Sequence, residues 1–242
     1  MKARDDTLFP ARLDDIGFVA EGRQLLSGIT TRIGRVPITV LLGPNGAGKT
    51  LLMRICRGLL IPTRGSVSWG NADIGRLGVR VGYVPQHPVM LRRSVEANVT
   101  YALALAGVPR QRRSEAARSA LAAVRLEGFA RTGARRLSGG ERQRLAIARA
   151  WSQRPAALLM DEPASHLDPA ATTSIEESIE AVRDAGTRII LCTHDLNQAR
   201  RLADEVVFMH HGRILEQASG SVFFDRPQSE EARRFVAGEL LV

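Results

Sequence analysis

The sequence predicts an α/β fold with a mostly parallel core sheet, an N-terminal antiparallel β piece and a helical insertion. Three observations carry it. Largely apolar runs at 36–42, 155–160 and 187–193 are short and bounded by turn residues, the pattern of strands buried on both faces. Helical patterns alternate with them, such as the Ile175, Ile179 and Val182 stripe. Residues 94–140 break that alternation, with two successive helical patterns and no strand beside them.

Composition bounds the function. At 242 residues the chain can bury a full core, as one large domain or one domain plus a subdomain. Its 44% hydrophobic and 24% charged residues suit a soluble globular protein. No run approaches the ~20 apolar residues of a membrane span. Residues 1–12 are polar and charged, so no secretory signal is visible and a cytosolic location is the expectation. Cys56 and Cys192 lie in apolar segments and read as small core residues. The net charge of +9 raises nucleic acid or an anionic membrane surface as partners. The arginines are scattered, and seven Phe, two Trp and two Tyr offer little base stacking, so no nucleic-acid partner is expected. Of 34 basic residues only Lys2 and Lys49 are lysines.

Lys49 stands in Gly43-Pro44-Asn45-Gly46-Ala47-Gly48-Lys49-Thr50, which reads G-x-x-x-x-G-K-[ST], the phosphate-binding loop of P-loop NTPases. A β-rich run precedes it, and a helical pattern carrying Leu51, Leu52, Ile55 and Cys56 follows. Glycines let backbone N–H groups turn inward to phosphate oxygens, and the new helix adds its positive end. Lys49 reaches the β- and γ-phosphates and Thr50 can ligate Mg²⁺.

The remaining elements follow in order. Residues 12–42 read as short strands with turns at Glu21-Gly22 and Gly34-Arg35, and with Ile16, Phe18, Leu25, Leu26, Ile29 and Ile33 inward. The helix after the phosphate loop ends at Gly58, and Ser66-Val67-Ser68-Trp69 alternates like a strand. A strand over 79–84 ends at Pro85-Gln86-His87-Pro88, whose prolines exclude helix and sheet interior. Gln86 there is either an ordinary turn residue or an amide carried to the Mg²⁺ and attacking-water region. Ser94 caps a helix that Gly107-Val108-Pro109 stops, and a second helix is expected from about Ser114 to Glu127.

Ser138 and Glu141 have capping-box spacing ahead of a helix with Leu145, Ile147 and Ala148. The cap is either only a cap or a second anion site made by the Ser138 hydroxyl, the Gly139 and Gly140 backbone and the helix dipole. Asp161 and Glu162 end the 155–160 strand, where ligands bind in open α/β sheets. Asp161 can hold Mg²⁺ through water, and Glu162 can polarise an attacking water. Asp168 before Pro169 starts a helix well. His194 follows the 187–193 strand and is a candidate γ-phosphate sensor, with Asp195 capping the next helix. A hairpin turning at His211-Gly212 and a short turn and helix from Ser221 complete the chain.

Together these residues resemble the ATP-binding cassette family of transporter ATPases over about residues 12–220. Residues 43–50 match its Walker A loop, Gln86 its Q-loop, 137–141 its LSGGE-type signature, 158–162 its Walker B with catalytic glutamate, 165–168 its D-loop and His194 its switch histidine. His166 is unusual in that D-loop. The resemblance implies a single ATP-binding domain over 1–242. Its core with the antiparallel β piece would take 1–93 and 141–220, the helical subdomain about 94–140, and the C-terminal tail 221–242.

The resemblance also implies that two copies pack head to tail and sandwich ATP and Mg²⁺. One copy contributes residues 43–51 and the other Ser138, Gly139, Gly140 and Glu141. Lys49, Gln86, Glu162 and His194 would be catalytic, and Thr50, Gln86 and Asp161 would serve Mg²⁺. A separate transmembrane permease would dock on the helical insertion near Gln86, with a periplasmic or extracellular substrate-binding protein beyond it. The chain would then sit peripherally on the cytoplasmic face of the cell membrane. The family stacks adenine on an aromatic residue that falls near Ala20 here, with Phe18 turned inward, so phosphate contacts should dominate affinity and discrimination between ATP and GTP should be poor.

Residues 86–99 and the ending 223–240 look similar to the ATPase subunits of tungstate-type oxyanion importers, with phosphate importers as close relatives. Two rival readings are a soluble cassette ATPase, such as one of iron–sulfur assembly, and a non-hydrolysing ATP-gated module. One cassette, no sustained heptads and no zinc spacing disfavour repair and translation members, and Glu162 with His194 disfavours the non-hydrolysing module.

Overall fold

The computed structural model describes residues 8–70, 72–73, 78–239 and 241. The polar start up to Thr7, with Lys2, and Leu240 of the expected tail lie outside them. The chain forms two compact units, Met1–Gly78 with Arg188–Val242, and Val79–Thr187.

The first unit holds two layers of strands. In the antiparallel one, β1 (Ala11–Ala20) lies between β2 (Arg23–Ile33) and β4 (Arg64–Trp69), with the two-residue β5 (Ala72–Asp73) on β4. The strands are longer than expected and irregular. The β1–β2 register shifts between Leu13 and Ile16, and again between Ile16 and Phe18. Asp15 at φ 50° marks the irregularity. Such shifts reset the two-residue alternation, so Ile16, Leu26, Ile29 and Ile33 are buried as predicted while Leu25 is exposed and Phe18 only half-buried. The Glu21-Gly22 turn has positive φ at both positions, as a tight hairpin requires.

The second layer runs β10–β9–β3–β8. Here β3 (Ile38–Leu42) lies parallel to both β8 (Arg188–Thr193) and β9 (Glu205–His210), and β10 (Arg213–Ser219) returns antiparallel to β9. Every residue of β3 is buried, which is why that strand reads as apolar without alternation. Helix α1 (Lys49–Arg57) packs near β8, and α6 (Leu196–Leu202) near β3 and β8. Burial pushes the Cys56 thiol up to about 12, so it is an inert core residue. Two short helices, α7 (Gly220–Asp225) and α8 (Glu230–Val236), form the C-terminal end. They deliver Phe223 and Phe235 to Phe208 of β9, at ring-centroid distances of 5.7 and 5.3 Å.

In the second unit β6 (Val81–Val84) and β7 (Ala157–Asp161) pair in parallel, Val81 opposite Ala157 and Val84 opposite Met160. Residues 79 and 80, expected as strand, belong to a short 3-10 turn over 78–80 instead. The unit also holds the α-helices α2 (Val95–Leu105), α3 (Arg110–Ala123), α4 (Gly139–Trp151) and α5 (Pro169–Asp184). Ser94 caps α2 as predicted, its hydroxyl accepting from Ala97 N at 3.2 Å. Helix α3 starts four residues before the expected Ser114, because Pro109 at φ −55° is already set for helix entry. It ends at Ala123 rather than Glu127, and Arg125 at φ 54° breaks the chain direction. No helix of the described residues is long and apolar enough to cross a membrane.

Candidate functional site

In the first unit, residues 43–50 leave the C-terminal end of the central strand β3 and enter α1 at Lys49. A side chain at position 43 is impossible: its Cβ would lie 2.1 Å from the Met209 carbonyl oxygen. Gly48, at φ 96°, is the N-cap. Gly212 N donates to Ala47 O at 3.1 Å, and Ser27 N donates to Gly212 O at 2.9 Å. The β9–β10 turn therefore supports the loop from behind. Lys49 is buried, and its ammonium donates to Gly43 O at 2.8 Å and Pro44 O at 2.9 Å. The loop is thus curled around its own lysine. A bare backbone turn, a nine-residue helix end and one ammonium fit a chain of phosphates. Thr50 and Leu51 follow, both half-buried. His194 in this unit is exposed directly after β8, and Asp195 Oδ1 caps α6 by accepting from Asn197 N at 2.8 Å and Gln198 N at 3.2 Å.

Close to that loop lies a histidine pair. His210 and His211 stack at 3.9 Å between ring centroids. Burial and the neighbouring His211 charge lower the His210 pKa below its ordinary value, while Glu231 pulls it up less strongly.

In the second unit, three segments meet at the end of β7. Asp161 closes the strand and is buried, and its Oδ2 accepts from the Tyr83 hydroxyl at 3.0 Å. Glu162 follows at φ 45°, in the left-handed region that non-glycine residues seldom adopt. Gln86 donates through Nε2 to Glu162 Oε2 at 3.4 Å and to Ser165 Oγ at 3.2 Å. Ser165 Oγ in turn donates to the Glu162 carbonyl at 3.0 Å. The Gln86 amide therefore touches both the expected base and the loop after it. Gln143 of α4 holds the Gln86 loop from below, donating to Pro85 O at 3.4 Å.

Both halves of the capping box are present at α4. Glu141 N donates to Ser138 Oγ at 3.3 Å, and Ser138 N donates to Glu141 Oε2 at 2.7 Å. The two glycines differ. Gly139 is exposed beside Leu167, whereas Gly140 is buried where a Cβ would lie 2.9 Å from the Cβ of Ala171. Gly140 lets α4 and α5 approach closely, and Gly139 presents backbone to solvent. Asp168 caps α5 by accepting from Ala171 N at 2.9 Å. A cavity of about 470 Å³ opens between these segments, with Gln86, Val89, Gly139, Arg142, Ser165 and His166 on its wall.

Sequence reasoning missed Tyr83, Gln143 and the linking role of Ser165. Each lies near a recognised motif, but only the folded arrangement shows whom it bonds. For Mg²⁺, Thr50 in the first unit and Gln86 and Asp161 in the second each carry a side-chain oxygen of the hard kind that ion takes.

A strand, glycine loop and helix with a buried lysine make this a nucleoside-triphosphate-binding fold of the P-loop class. Residues 26–165 match the family model for the ABC transporter. The chain is similar to the phosphate import ATP-binding protein PstB 2 of Natronomonas pharaonis, at 35% identity over 91% of this chain and 84% of that one. It is 37% identical to the methionine import ATP-binding protein MetN of Corynebacterium jeikeium, over 89% of this chain and 61% of that one. Its fold resembles cbiO1 of Clostridium perfringens, part of the ABC transporter complex cbiONQ, with a TM-score of 0.80, 27% identity, and coverage of 90% and 91%. The chain belongs to the ATP-binding cassette transporter family. It is an ATPase whose activity is coupled to transport.

Proposed function

We propose that the chain is the ATP-hydrolysing subunit of an importer for an oxyanion of the tungstate or phosphate kind. The observation that carries the hydrolytic part is Gln86 bridging Glu162 and Ser165 at 3.4 and 3.2 Å. That bridge orients the carboxylate of a residue suited to take a proton from water. In the step, a water oxygen bonds to the γ-phosphorus as the bond from phosphorus to the β–γ bridging oxygen breaks. Glu162 accepts the water proton, Lys49 steadies the phosphate charge and His194 contacts the γ-phosphate. Thr50, Asp161 and Gln86 would hold Mg²⁺, which supplies positive charge to the phosphates.

Two copies work head to tail in this reading. The loop at Ser138, Gly139, Gly140 and Glu141 of one copy closes on the nucleotide held by residues 43–51 of the other. The whole chain is one ATP-binding domain, with residues 94–140 as a helical subdomain that receives a permease segment near Gln86 and 221–242 as its tail. The chain sits peripherally on the cytoplasmic face of the membrane, and a substrate-binding protein delivers the anion to the permease. Support for import comes from the relatives named as import subunits. Support for an oxyanion comes from the likeness of residues 86–99 and 223–240 to tungstate-type subunits and from the phosphate relative. With Ala20 in place of an adenine-stacking aromatic, hydrolysis discriminates poorly between ATP and GTP.

Affinity purification of the chain from membranes tests the transporter assignment. A co-purifying multi-span permease is the expected outcome. Recovery with soluble iron–sulfur assembly proteins and no permease contradicts it.

A further inference from the structure

We infer that the helical part of the second unit carries a surface for the anionic headgroups of a lipid bilayer. The inference rests on the membrane-bound reading above. Residues 92–136 contain ten arginines against three glutamates, a net +7 of the chain's +9, and no lysine. The fold gathers part of this charge. Val95 N donates to Thr132 O at 2.9 Å, Glu96 N to Ala130 O at 3.0 Å and Ala134 N to Arg93 O at 2.9 Å. This antiparallel contact sets 92–96 beside 130–136 and brings Arg92, Arg93, Arg131, Arg135 and Arg136 into one neighbourhood, all exposed.

Apolar groups accompany the charge. Tyr101 and Leu105 stand one turn apart on α2 and are 39% and 73% exposed, and Phe129 is 38% exposed. The Arg93 guanidinium lies 5.1 Å from the centre of the Tyr101 ring. Guanidiniums pair bidentately with phosphate, while tyrosine and aliphatic groups enter the boundary beneath the headgroups. A bilayer offers both at once. Nucleic acid would use the charge but leave Leu105 in water.

Sedimentation of the purified full chain with vesicles tests this. Vesicles of phosphatidylglycerol and phosphatidylcholine should bind at least ~10-fold more tightly than phosphatidylcholine alone, and salt should weaken that binding. The triple substitution Arg92→Gln, Arg93→Gln, Arg131→Gln should lower affinity on the order of 100-fold. An equal charge change on the antiparallel sheet and the turn that follows it, Arg12→Gln, Arg32→Gln, Arg35→Gln, should lower it less than about 3-fold. The pair Arg131→Gln, Arg136→Gln leaves the Arg93–Tyr101 contact intact and should weaken binding even if the triple variant folds poorly. Equal binding to neutral vesicles, equal loss in both triple variants, or capture of duplex DNA with no vesicle binding overturns the inference. ATP hydrolysis by the same preparation without vesicles reports separately on the transporter-ATPase reading.

Discussion

Gln86 Nε2 donates to Glu162 Oε2 at 3.4 Å, so a loop fixed by two prolines is tied to a carboxylate whose backbone is itself held at positive φ. The bond is long, and Ser165 shares the same amide at 3.2 Å. Removing the amide should leave Glu162 in place but less well oriented. Gln86→Ala is expected to lower kcat roughly 10-fold or more while changing KM for ATP little. Steady-state kinetics at saturating Mg²⁺ check this, and an effect confined to KM would contradict it.

Lys49 is buried with its ammonium on two carbonyl oxygens of its own loop. A planar guanidinium cannot occupy the same compact position. Lys49→Arg should therefore behave like Lys49→Ala. Both should weaken nucleotide binding by roughly 10- to 100-fold, as expected for losing a charged hydrogen bond of about 1.5–3 kcal/mol. Titration with a fluorescent ATP analogue reads it directly.

Gly140 meets Ala171 where α4 and α5 cross, with 2.9 Å available to an added Cβ. Gly140→Ala should cost about 1–3 kcal/mol through overpacking. Ala171→Gly in the same chain should recover part of that loss, since it removes the opposing methyl group. Denaturant melts of the two single variants and the double variant measure the coupling.

The stacked His210–His211 pair makes stability depend on pH. Because the folded-state pKa of His210 is lowered, the unfolded chain binds more protons just below the ordinary value near 6.5. Stability is therefore greatest above that value and is lost as pH falls from it toward the lower folded pKa. His210→Asn should flatten the decline of Tm in that window.

Much of the site was legible because it is made of local chemistry. The phosphate loop, the Ser138–Glu141 box and the Asp168 and Asp195 caps each depend on residues within a few positions of one another. The buried strands also announced themselves, since β3 and β7 have no exposed face to carry polar residues. What failed to show was non-local or broken in period. Leu25 is exposed at a slip in the β1–β2 register, between the Phe18–Leu26 and Val19–Gln24 pairs, and a local pattern does not foretell where pairing slips. The α3 start was masked because Pro109, read as a stop, also begins the next helix. Ser114, expected to open that helix, lies inside it and donates to Glu96 at 3.3 Å. The Tyr83–Asp161 bond joins residues 78 positions apart and leaves no trace in either segment alone.

The central claim is that Glu162 takes the proton from the attacking water. Steady-state ATP hydrolysis by the Glu162→Gln chain, measured beside its ATP affinity, tests it most directly. A fall in turnover of at least ~10²-fold with binding retained is the predicted result. Normal turnover in that variant would contradict it and move the proton acceptor to another group.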